Sequence, residues 1–352
     1  FLLLCCFAAR TAGRPLPAGV DARLHVFSTF IAWLSDAEGK VPGICDDDDG
    51  RVLTLSRHEA AYAASVSAAI SGYLGTPSAG PRPKENELRD ALLRSPATGT
   101  PPPSGLMTFA DGGYTIVRKR QNDRDVHIVM DHAPLGYLSI AAHGHADALS
   151  VIATIDGIPL FVDAGTYLYH SGGPWRDWFR STRAHNTLTL GDTDQSIMSG
   201  AFNWSHKASS RLDSVADGKD WRIVASHDGY EKRFGCIHRR TVSSDPSGFS
   251  IHDTLVGNHD QSAEVVFQLA PSCRAEIEAG AIRIFHKAQR LATLSFSQAG
   301  QVECASGGAP GDGGWYSPRF GIKVPAPRIA WKGKLPPEGL VTKVDLVVNG
   351  RE

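Results

Sequence analysis

The chain has 352 residues, a formal net charge of −1, 42% hydrophobic and 21% charged residues. That balance is that of a folded globular protein and not of a disordered or fibrous chain, and the length favours two folded units over one. No overall basic field calls for nucleic acid, so an anionic polymer would have to be held by a local basic patch.

In chain order, Phe1 to Ala9 is apolar. It has the character of a signal-peptide centre, but it lacks a basic leader and Arg10 ends it too soon for a membrane span. We read it as a buried helix and the chain as a piece of a longer protein; no other stretch is long and apolar enough to cross a bilayer. Leu24, Phe27, Ile31 and Leu34 recur at helical spacing, with Gly39 as the stop. A second helix is expected to open at Ser56, with Glu59 completing a capping box, and to end at Leu74 before Gly75. Between them, Asp46, Asp47, Asp48 and Asp49 either bind a cation or form a solvated turn, the commoner role of a charge run. Residues 77–104 are rich in Pro, Gly and Ser and read as a linker.

From about residue 105 the pattern is one of strands: Tyr114–Arg118, Val126–Met130 and Ser150–Ile155, then an Asp156-Gly157 turn and Ile158–Val162. Short strands continue past Leu340, which argues for a large antiparallel sandwich. Cys5, Cys6, Cys45, Cys236, Cys273 and Cys304 form no CxxC pair, so neither a zinc ribbon nor a thioredoxin-type site is indicated.

The chemistry-bearing residues lie between 143 and 185. On a strand, His143, His145 and Asp147 would share one face. Asp163 follows the second hairpin strand, and His185 opens a strand expected over 186–190. Three adjacent strands would bring His145, Asp163 and His185 together as two imidazoles and a carboxylate, a set suited to zinc. The plainer alternative is hydrogen-bonded core histidines. Tyr167, Tyr169, Trp175, Arg176, Trp178, Phe179, Arg180 and Arg183 surround them. Trp178 and Phe179 read as core, whereas Arg180 and Arg183 are candidates for pairing with carboxylate or sulfate.

Several linked segments, in order, resemble heparinase II/III-like polysaccharide lyases: HGHADALS from His143, PLFVDAGTYLY from Pro159, FRSTRAHNTLTLGDTDQS from Phe179, and Phe202-Asn203-Trp204. His227-Asp228-Gly229-Tyr230, His238-Arg239-Arg240 and the run from Trp315 to Gly321 fit as well. The resemblance implies an α+β multidomain fold. Residues 1–76 would be the end of an (α/α) toroid, 77–104 the linker, and 105–352 a large antiparallel β-sandwich. It implies β-elimination on a uronic-acid-containing acidic polysaccharide such as a glycosaminoglycan. His143 would be catalytic, and Tyr167, Arg180 and Arg183 would meet substrate. A largely structural Zn²⁺ would be held by His145, Asp163 and His185. A bacterial periplasm or cell-envelope location and a homodimer are further expectations. The family's catalytic tyrosine, and its asparagine or histidine partner, belong to the toroid, and no segment here matches them. Two other classes stay open: a non-catalytic carbohydrate-binding or envelope protein of the same fold, and a metal-dependent glycan hydrolase whose zinc activates water.

Overall fold

The computed structural model describes residues 1–14, 16–51, 61–82, 88–259, 261–278 and 280–348. Two compact units are present, one of residues 1–42 with 50–104 and one of residues 43–49 with 105–352.

The first unit holds α1 (Leu2–Thr11), α2 (Val20–Leu34), α3 (Tyr62–Leu74) and α4 (Leu88–Leu93). Helix α2 buries Leu24, Ser28, Ile31 and Ala32, whereas Phe27 is 58% exposed, so the expected apolar face is rotated away from Phe27. The reason is a close contact between small residues: Ser28 Oγ lies 2.8 Å from Ser67 Oγ of α3. The helix ends at Leu34, short of the expected Gly39, because Ser35 turns to extended backbone while its hydroxyl donates to Ile31 O. Helix α3 stops as expected at Gly75, whose φ of 69° is the left-handed cap that glycine adopts without strain. The capping box proposed at Ser56 and Glu59 lies outside the described residues. Segment 77–104 is not spacer throughout: α4 packs Leu93 into the helical core and buries Arg89 and Asp90. Gly72 permits that packing, since a Cβ there would meet Leu93 O at 2.3 Å.

The second unit is mostly strand. Its first sheet runs in chain order through β1 (Gly105–Phe109), β2 (Tyr114–Gln121), β3 (Arg124–Asp131), β4 (Val151–Ile155) and β5 (Ile158–Phe161). Two-residue turns join β2 to β3 and β4 to β5. Asn122, Asp123, Asp156 and Gly157 all have positive φ, the conformation that matches the right-handed strand twist. Next come α5 (Pro174–Arg180), β6 (Leu188–Leu190), and the hairpin of β7 (Ile197–Gly200) and β8 (Asn203–His206). An eight-stranded sheet uses β9 (Ser210–Ala216), β10 (Arg222–His227), β11 (Cys236–Asp245) and β12 (Gly248–Gly257). Four-residue helix α6 (Glu231–Phe234) sits between β10 and β11, and β13 (Gln261–Gln268) follows β12. The eight-stranded sheet is completed by β14 (Cys273–Glu278), β15 (Ala281–His286), β16 (Gln289–Phe296) and β21 (Leu340–Leu346). A four-stranded sheet orders β17 (Gln301–Ala305), β20 (Arg328–Leu335), β13 and β6, and β18 (Trp315–Arg319) pairs with β19 (Ile322–Pro325).

The three larger sheets share one apolar core. Phe161 of β5 lies 4.7 Å from Phe267 of β13 and 6.4 Å from Phe249 of β12, ring to ring, and all three are fully buried. Each such side chain contributes roughly 1.5–3 kcal/mol by leaving water. That core anchors the ends of β5 and β6, from which the loops of the site emerge.

A candidate histidine and carboxylate site

Four loops of the strand-rich unit build the site: residues 43–49, 143–147, 163–167 and the turn before His185. Residues 143–147 are not a strand, so the expected shared face does not exist. His143 has a φ of 63°, and its carbonyl accepts from Asp46 N; Ala146 N donates to Arg180 O. The backbone groups bond to other loops instead of a sheet ladder, and the histidines converge through loop geometry, not strand alternation.

Asp163 sits two residues beyond β5 and accepts the Gly165 N–H at 2.8 Å. Gly165 is required there: its φ is 82°, and a Cβ would meet Ser317 O at 2.6 Å. His185 ends a short 3-10 turn, and β6 begins only at Leu188. The intervening Asn186 explains the shortening. Its side chain donates to Val151 O and Val162 O and accepts from Gln268 N, which takes it out of the ladder and ties the ends of β4, β5 and β13 together.

His145, Asp163 and His185 are buried, and each offers a ligand atom within 4.8 Å of the others. His185 Nδ1 lies 2.9 Å from Asp163 Oδ2, and His145 Nε2 lies 3.0 Å from Asp46 Oδ1. Each imidazole therefore keeps one buried nitrogen without a partner, His145 Nδ1 and His185 Nε2. Orphaned buried groups cost about 1–3 kcal/mol each. A metal ion would use His145 Nδ1, with Asp46 behind that ring as the usual support for a histidine ligand, and would stand in place of the proton between His185 Nδ1 and Asp163. The donor set thus fits zinc. Burial pulls His145 down to about 4. Burial acts the same way on His185, but the charge and hydrogen bond of Asp163 outweigh it and raise that ring to about 9.

Asp46 is the residue missed from sequence. Its carboxylate is fully buried, accepts a two-pronged ion pair from Arg176, and faces both His145 and His143. Burial alone would raise its pKa; hydrogen bonds from His145 and Arg176 outweigh that and hold it well below the usual carboxylate range. The acidic run is therefore neither a cation loop nor a solvated turn at Asp46. Asp49 is also engaged, accepting from Phe320 N. No local signal marks Asp46, because its partners lie 97, 99 and 130 residues away.

His143 is the exposed member, with its side chain 56% accessible and its Nδ1 3.2 Å from Asp46 Oδ2. Its ring stands 6.0 Å from Tyr169 and 5.6 Å from Phe202. With His145, Asp147, Asp131, Tyr114 and Tyr137 it lines a cavity of about 380 Å³. Tyr167 is half-buried and rests on Phe179 and Trp175. Trp178 and Phe179 are core, as expected. The two arginines expected at substrate have protein partners instead. Arg180 is fully buried on the Trp204 ring and donates to Gly200 O, while Arg183 pairs with Glu264 and Asp192. Asp147 is buried beside Cys45 and stands outside the three-residue cluster.

Comparison with known proteins places this architecture. A crystal structure of heparinase III superposes with a TM-score of 0.69 at 17% identity, covering 96% of this chain and 50% of that one. The heparan sulfate lyase of Pedobacter heparinus superposes with a TM-score of 0.63 at 15% identity, covering 91% and 46%. These likenesses show a shared fold. The profile of the family described as Heparinase II/III-like, C-terminal matches residues 101–347, and the chain belongs to that family. A curated relative, the heparin-sulfate lyase of Bacteroides thetaiotaomicron, is 24% identical over 189 residues, 51% of this chain and 25% of the relative. The chain thus spans about half the length of the solved structures it matches.

Proposed function

We propose that this chain is part of a polysaccharide lyase that cleaves a uronic-acid-containing acidic polysaccharide by β-elimination. The observation that carries the reading is His143: an exposed imidazole, oriented by the buried carboxylate of Asp46, at the mouth of a cavity in a heparinase-family domain. In this reaction the proton α to the uronate carboxylate is removed, the glycosidic C–O bond breaks, and the leaving oxygen takes a proton. The pair of electrons released at the α-carbon forms the new double bond. With Nδ1 turned to Asp46, His143 presents Nε2 outward, placed to pass a proton to or from a bound sugar. Tyr167 and Tyr169 supply ring faces for sugar, and Arg176 fixes Asp46.

In the same reading, His145, Asp163 and His185 hold a Zn²⁺ that is structural. Its chemistry is to pin the loops of residues 143–147 and 163–167, which sets the position of His143. Burial of the cluster weighs against a hydrolase in which the metal activates water. The strand-rich unit is read as the family's β-sandwich, the helical unit as the end of an (α/α) toroid, and the setting as a bacterial periplasm or envelope.

The test is the ultraviolet absorbance of an unsaturated uronate when the full-length protein digests glycosaminoglycans, alginate and bacterial exopolysaccharides. A rise with at least one substrate, lost in His143→Ala, is expected. No rise across the panel, or unchanged turnover in His143→Ala, would overturn the reading.

A further inference from the structure

Lys323 of β19 is held in an unusual setting. Its ammonium nitrogen lies 3.4 Å from the ring centroid of Trp315, 4.0 Å from Trp175 and 5.6 Å from Tyr167. Trp175 and Trp315 meet nearly at right angles, 5.4 Å apart, and form a corner for the ammonium. The corner is anchored, because Trp175, Trp315 and Tyr167 pack on the buried cluster of Ala164, Trp178, Phe179 and Ala184. Ring faces attract a cation but accept none of its N–H bonds well. Elsewhere in the unit, Lys119, Lys332 and Lys343 each sit on a carboxylate. Among the described residues, Lys323 has neither a carboxylate nor a hydrogen-bond acceptor. It is a half-buried ammonium, fixed in position, with its donors unspent.

The same hairpin is stapled to the loop of the candidate site. Ser317 N donates to Ala164 O, Tyr167 N donates to Ser317 Oγ, and Gly321 N donates to Tyr167 O. Tyr169 of that loop is ring neighbour to both Phe320 and His143. Lys323 and His143 therefore flank one short loop, residues 164–169.

We propose that Lys323, seated on Trp175 and Trp315 beside Tyr167, is a subsite for an anionic group, carboxylate or sulfate, of a bound polysaccharide. The aromatic corner holds the ammonium with its donors outward, and an oxyanion supplies the missing acceptor in a charge-assisted hydrogen bond. The inference rests on the acidic-polysaccharide reading for its ligand class but does not require turnover.

The test is calorimetric binding of four oligosaccharide sets to this chain: unsulfated heparosan, sulfated heparan, and the carboxyl-reduced form of each. Lys323→Met, which keeps the stem, should weaken binding about tenfold, the scale of one charge-assisted bond, while Lys323→Arg stays within about threefold. If carboxyl reduction abolishes the difference between wild type and Lys323→Met, the anion is a carboxylate; if desulfation abolishes it, a sulfate. Lys323→Gln repeats the test should the methionine variant fail to fold, and unchanged melting temperatures separate lost recognition from lost packing. Equal affinity of wild type and folded variants for every acidic oligosaccharide, or no binding by wild type, would overturn the subsite. Turnover of the full-length protein is read separately: Lys323-dependent binding without unsaturated product would sink the lyase and keep the subsite.

Discussion

The strand-rich unit contains two clusters of the same residue types with opposite character. In the eight-stranded sheet, His227, His238, Arg240 and Asp253 form a closed chain. Gly229 N donates to His227 Nδ1, His227 Nε2 lies 3.1 Å from His238 Nδ1, and His238 Nε2 lies 2.7 Å from Asp253 Oδ1. This order gives each neutral ring one donor and one acceptor, both used. Arg240 grips Asp253 through Nε and Nη2 and donates to Leu149 O and Asn186 O. Every member is fully buried. In the loop site, Asp46 also holds an arginine and histidines, yet His143 reaches solvent and two ring nitrogens have no partner. The difference lies in unspent hydrogen-bonding capacity. A saturated polar network specifies a fold, and one with spare ligand atoms and an exposed imidazole is equipped for chemistry.

The largest expected effect separates the two by activity. His143→Ala should reduce turnover of the full-length protein at least about 100-fold, the usual contribution of a positioned proton carrier, with the melting temperature little changed. A large loss of melting temperature instead would make His143 as structural as His238. Arg240→Met leaves Asp253 buried without its ion-pair partner and should lower the unfolding free energy by about 3–5 kcal/mol in urea titrations. A change under about 1 kcal/mol would show the closed network to be dispensable.

The closed chain also predicts a pH dependence. Burial depresses the pKa of both His227 and His238, and the neighbouring His238 and Arg240 charges add to this at His227. Folded histidines with depressed pKa stay neutral while the unfolded ones bind protons below their usual 6.5. Their contribution is therefore complete above about pH 6.5 and falls as pH drops below it, by up to about 1.4 kcal/mol per pH unit per group. The stability difference between wild type and His227→Gln, measured from pH 7.5 to 5, should shift in the variant's favour on acidification; a flat difference would refute the assignment. The smallest effect is next door to Arg240. Arg239 points outward, 42% exposed, to Asp213, and Arg239→Ala should change stability by less than about 1 kcal/mol in the same titration.

Much of the strand-rich half was legible from residues. The Asp156-Gly157 turn carries its own positive-φ requirement, and β-branched runs mark β2 to β5. His145, Asp163 and His185 were identified as a group, and the structure brings them together. The route was not legible. A strand was inferred for residues 143–147 from the two-residue spacing of the histidines, but Gly144 packs against Gly136, and a Cβ there would meet Gly136 N at 2.8 Å. That contact holds the segment as a loop. Arg180 is a substrate candidate in the sequence because it stands close to His185, and nothing local reveals that Trp204 covers it. Asp46 was hidden by its three acidic neighbours and by a distance of nearly one hundred residues from its partners.

The placement of residues 43–49 bears on how this protein can be dissected. The strip precedes much of the helical unit in sequence yet belongs to the strand-rich one, and the matched family region begins only at residue 101. A cut at that boundary would discard Asp46. It would leave Arg176 and His145 buried without their carboxylate, and His143 without its orienting partner. An isolated strand-rich domain beginning near residue 101 should therefore express as a weakened fold with a misaligned imidazole, whereas one carrying the 43–49 strip in its place should recover both.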